Sequence, residues 1–68
     1  MNTKRSDMDN MNSIVDTMSE SRAESLAIMA MDTLDRVPEE MHASIKLAFS
    51  IGWWKDVIKL YCKARSGE

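Results

Sequence analysis

Two side chains, His42 and Cys62, have the chemistry of a nucleophile and its base. A working pair needs the base oriented by a third group and held within hydrogen-bond reach of the nucleophile. His42 and Cys62 fall on separate predicted helices, and no base–orienter arrangement surrounds them. The expected roles are a surface His beside Glu39 and a buried structural Cys. The carboxylates of Asp16, Glu20 and Glu24 repeat at helical spacing, where they repel one another. One Cys and one His exclude an internal disulfide and the usual four-ligand zinc sites. No metal, nucleotide or other cofactor is expected, and an enzyme is the least favoured class.

The remaining candidates are groups that bind rather than react. Lys55, Lys59 and Lys63 recur at four-residue spacing, with Arg65 beyond them. Such a basic face could meet phosphates or an anionic membrane surface, although a solvated helix face is its ordinary role. Met8, Met11 and Met18 step along one helical stripe with Val15, and Ile14 stands beside it. Methionine is unbranched and polarisable, so such a stripe suits a surface that repacks against a partner. Trp53 and Trp54 are adjacent, hence about 100° apart on a helix. Trp54 matches a core stripe, which leaves Trp53 as the candidate aromatic anchor at an interface.

These residues need helices to position them. The chain has 68 residues and a formal net charge of −2, enough for one small domain. At this mass a closed globule exposes about 4,400 Å². Leu, Ile, Val and Phe together number 13, against seven Met and six Ala, so the core is thinly stocked. Two Gly and one Pro supply little turn chemistry, and β-branched and aromatic residues do not alternate. An all-α fold follows.

Residues 1–7 are polar and are expected to form a disordered tail, with a single helical domain over 8–66. Four helices are predicted near 8–18, 22–36, 38–51 and 53–65. Ser21-Arg22-Ala23-Glu24 has the form of a capping box opening the second. That helix presents Ala23, Leu26, Ala27, Ala30, Leu34 and Val37 on one face, widened by Ile28, Met29 and Met31, which predicts burial on two sides. Asp32 and Arg36 are spaced for an i,i+4 pair. Val37 precedes Pro38 and must leave the α region, and Pro38 suits the first turn of the next helix.

The stretch Ile45-Lys46-Leu47-Ala48-Phe49-Ser50-Ile51-Gly52-Trp53-Trp54-Lys55-Asp56-Val57-Ile58-Lys59-Leu60-Tyr61 resembles a helix-turn-helix at Ala48, Gly52 and Ile58, with Leu47 and Ile51 in its apolar slots. In that likeness residues 53–65 are the recognition helix, offering Lys55, Lys59 and Lys63 to DNA. The same segment, through Gly52, Trp54, Val57, Ile58, Tyr61 and Ala64, resembles the corner of a tetratricopeptide-type hairpin. What the two share is a tight helix–Gly–helix corner.

Charge is uneven: residues 1–45 carry four basic and nine acidic side chains, and 46–68 carry five and two. Such polarity favours oriented association. No apolar run reaches 18 residues, and the N-terminus has no secretion signal, so a reducing cytoplasm is expected. The resulting expectation is a compact all-α bundle of three to four short helices completed by homodimerisation. It would serve as a small protein–protein interaction module, an adaptor, inhibitor or regulatory subunit, through Met8, Met11, Met18 and Trp53. The alternative is a DNA-binding regulator using Lys55, Lys59, Lys63 and Arg65. Membrane binding is not expected. Residues 8–18 should depend most on docking.

Overall fold

A computed structural model describes residues 3–66, with side chains from residue 10 onward. Among the described residues there are four α-helices and no strand. They are α1 (Thr3–Thr17), α2 (Glu20–Asp32), α3 (His42–Ser50) and α4 (Trp54–Arg65), with 3-10 turns at Leu34–Arg36 and Glu39–Met41.

Helix α1 opens at Thr3, ahead of the boundary expected near residue 8. Nothing between Thr3 and Met8 breaks a helix, and each added residue gains a backbone hydrogen bond. The chain then turns through Met18 and Ser19. Ser19, with extended backbone, is the N-cap of α2, and its hydroxyl accepts from the Arg22 amide at 3.2 Å. The predicted capping box at Ser21 is therefore not used. A start at Ser19 adds a turn residue, Glu20, whose charge suits the positive end of the helix.

The α-helical part of α2 stops at Asp32, short of the expected residue 36. The Thr33 hydroxyl bonds back to the carbonyls of Met29 and Ala30, at 3.3 and 3.4 Å, and the next turn tightens to 3-10. With that change of pitch Asp32 and Arg36 do not form the expected ion pair. Val37 is extended ahead of Pro38, as the pyrrolidine ring requires. Pro38 stands just before the 3-10 turn, and its carbonyl accepts from Met41 at 3.0 Å. His42 is half-buried, its Nε2 3.1 Å from the Val37 carbonyl, rather than paired with Glu39.

The corner between α3 and α4 is a Schellman closure. The Trp53 amide donates to the Ala48 carbonyl at 2.9 Å and the Gly52 amide to Phe49 at 3.1 Å. Gly52 has φ +77°, the left-handed conformation this closure needs.

Helix α4 is the hub, and α1, α2 and α3 all pack on it. Ala27, Ala30, Leu34, Val37, Ile45, Ala48, Val57 and Ala64 form one buried cluster, and Val15, Ala23 and Ile58 a second. Trp54 touches both clusters and meets Phe49 edge-on, with ring centroids 5.5 Å apart. Ile45, Val15 and Val57 are the largest side chains wholly withdrawn from solvent. Five of the eleven buried apolar residues described are Ala. The result is flat, 37 × 28 × 16 Å.

A Cβ at Gly52 would meet only Trp54 Cζ2, at an ordinary 3.7 Å. The cost of Gly52→Ala is therefore conformational, and urea unfolding should show a loss of about 1–2 kcal/mol.

Candidate functional site

Helix α2 is not buried on two sides as its composition suggests. Its small residues Ala23, Ala27 and Ala30 face the core, while Ile28 and Met29 are exposed, Met29 by 61%. The close approach of α2 to α4 uses the alanines. It leaves Ile28 and Met29 turned away from the core, where no other described side chain buries them.

The main consequence is a groove of about 650 Å³ between α1, α2 and α4. Met11, Ile14, Val15 and Met18 line it from α1, and Leu26, Met29 and Ala30 from α2. Ile58, Tyr61 and Cys62 contribute from α4, with Arg22, Asp32 and Thr33 at its margins. The volume lies within the range of pockets that hold ligands or anchor side chains. Three long apolar side chains, Met11, Ile14 and Met29, are exposed along it.

Among the predicted partner-binding residues, Met11 and Met18 line this groove. The side chain of Met8 lies outside the described residues. Trp53 is 59% exposed but belongs elsewhere, at the α3–α4 corner where Leu47 and Ile51 are also exposed. The groove and the corner are thus separate apolar features. Leu26, Met29 and Ile58 were not singled out in the sequence as groove residues. For Met29 the available signal was its place away from the Ala23, Ala27 and Ala30 face of α2; no local signal joins Ile58, on α4, to it.

The four basic residues proposed to meet anions are used unequally. Lys55 Nζ donates to the Asp16 carbonyl at 3.1 Å and lies 3.8 Å from Glu20 Oε2. Lys59 Nζ donates to Asp16 Oδ1 at 2.6 Å. Asp16 is in the last turn of α1, where carbonyls lack helical partners and a cation is favoured. These two lysines therefore tie α1 to α4. Lys63 is exposed in the last turn of α4. Arg65 lies over the Tyr61 ring, 5.8 Å from its centroid, and donates to the phenol oxygen at 3.2 Å.

Tyr61 Oη is also 2.7 Å from Thr33 Oγ1. The Thr33 hydroxyl favours the phenolate most, burial opposes it, and Arg65 assists, so the phenol titrates below its usual value. Burial pushes the Cys62 thiol upward despite nearby Arg65. A raised thiol holds little thiolate at neutral pH, which makes it a poor nucleophile. Among the described residues no three His, Cys, Asp or Glu side chains converge as a metal ion would need. No helix among them is long and apolar enough to cross a membrane.

Comparison of the chain with protein-family models, curated proteins and solved structures returns no match.

Two outcomes follow from this geometry. Lys59→Ala should speed hydrogen exchange across α1, by an amount equivalent to about 1 kcal/mol or less, because Asp16 is exposed and Lys59 only partly covered. High salt should mimic it. Alkylation of Cys62 by iodoacetamide should be slower than that of free cysteine at pH 8, and should keep rising with pH beyond the range where an ordinary thiol levels off. A rate equal to free cysteine would contradict the burial of the thiol.

Proposed function

We propose that the chain is a non-enzymatic protein–protein interaction module, acting as an adaptor, inhibitor or regulatory subunit. The observation that carries this reading is the open apolar groove between α1, α2 and α4. Its lips hold exposed Met11, Ile14 and Met29, in a chain where five of the eleven buried apolar residues described are Ala. Apolar side chains left in water are the reserve from which association draws its free energy. Methionines on the lips let the groove adapt to the side chain it receives. The mechanism is occlusion or bridging of a partner, with the acidic first half and basic last third setting orientation and rate. A single free thiol suits a reducing compartment such as the cytoplasm.

The helix-turn-helix alternative has less support. Lys55 and Lys59 are engaged with α1, which leaves Lys63 as the exposed cation of the supposed recognition face and Arg65 stacked on Tyr61. Trp53, at the position where a polar N-cap would stand, makes no side-chain capping bond.

The test is affinity capture with mass-spectrometric identification, comparing the natural chain with Met29→Glu and Lys63→Glu. Met29 is exposed, so the substitution spares the core. A protein partner kept by Lys63→Glu and lost by Met29→Glu is the expected result. Retention of every partner by Met29→Glu would contradict the reading. So would a DNA affinity that falls steeply with salt and vanishes in Lys63→Glu.

A further inference from the structure

We propose that the occupant of the groove is a second copy of this chain, docked with the two α2 helices antiparallel about a two-fold axis. This rests on the reading of the groove as a protein-binding surface, and it names the partner.

Opposite charges stand at the two ends of α2. Arg22 lies in the first turn of α2 and Asp32 is its last residue. Both are exposed and both line the groove. Each is misplaced for its own helix. A cation at the positive N-terminus and an anion at the negative C-terminus oppose the backbone dipole. Neither forms an ion pair with another described residue that would offset this.

An antiparallel copy of α2 corrects both placements at once. The two charges are ten positions apart, about 15 Å along the helix. Their midpoint is residue 27, in the middle of the groove-lining stretch from Arg22 to Thr33. A two-fold axis at that height sets Arg22 against Asp32 of the second copy and Asp32 against its Arg22. Each charge then also faces the helix end that favours it. The same axis brings Met29 to within about one residue's rise, 1.5 Å, of the level of Leu26 in the second copy. Met29 of each copy enters the groove of the other. A patch carrying opposite charges at equal distances from its centre is complementary to itself, as a two-fold interface requires.

The test is sedimentation or light scattering across a hundredfold range of concentration, which reads mass directly. The natural chain should approach twice 7.8 kDa as concentration rises. Arg22→Glu sets like charges together and should weaken dimerisation at least tenfold, as should Asp32→Arg. The double variant exchanges the two signs and should return most of the loss. Arg22→Glu puts an acidic residue in the first turn of α2, so the separated chain should keep its helical circular dichroism and its thermal midpoint. A natural chain that stays at 7.8 kDa throughout would overturn the proposal. So would single variants that dimerise like the natural chain, or a double variant no better than the singles. A monomer that still captures another protein through Met29 would sink the second copy as occupant while leaving the module reading intact.

Discussion

The close packing of α2 on α4 is the constraint on which the rest of the structure depends. Ala23, Ala27 and Ala30 lie on the buried side of α2, and Val57, Ile58 and Ala64 on that of α4. Small side chains let the two helix axes approach, but they bring little apolar area into the core. Leu26 and Met31 still reach the core from the flanks of that face, but Ile28 and Met29 do not. Met29 and Ile28 face solvent because alanines occupy the inward face, and the groove beside α1 is what that arrangement leaves open. Surface and core are therefore one problem. Apolar side chains that could have filled the interior stand instead on the surface, three of them, Met11, Ile14 and Met29, along the groove.

Helix α1 depends on this arrangement from the outside. It reaches the core through Val15, with Met18 packed beside it, and is tied at its C-terminus by Lys55 and Lys59. Exposed ion pairs contribute modestly, so α1 is held chiefly by a few apolar contacts to α4. It forms one wall of the groove. An occupant seated against Met11 and Ile14 would stabilise α1 and be bound by it in the same contact, which couples the order of this helix to association.

Much of the architecture was legible in the sequence. The periodic stripes placed four helices, Pro38 and Gly52 marked two of the three junctions, and Trp54 was readable as a core residue. The boundaries were less so, for physical reasons. Ser19 and Ser21 are chemically equivalent caps two residues apart, and the choice between them falls to where α1 stops. Thr33 ended α2 early by bonding back to Met29 and Ala30, a side-chain alternative to helix that no hydrophobic pattern reports. The groove was only half legible. Met11 and Met18 could be named from their spacing, but their neighbours Leu26, Met29 and Ile58 come from two other helices. The basic stripe was read as free to meet anions because Asp16 lies more than forty positions from Lys59, and nothing local joins them.

The central claim is that this open face is covered by protein in solution. Methionine-methyl NMR with a soluble paramagnetic agent addresses it directly, since Met29 stands 61% exposed in the single chain and Met31 is half-buried on the core side. The account predicts that at high protein concentration the Met29 and Met11 methyls are shielded from the agent, approaching Met31, and lose that shielding on dilution. Met29 and Met11 signals that broaden fully at every concentration, with added partner or without, would contradict it.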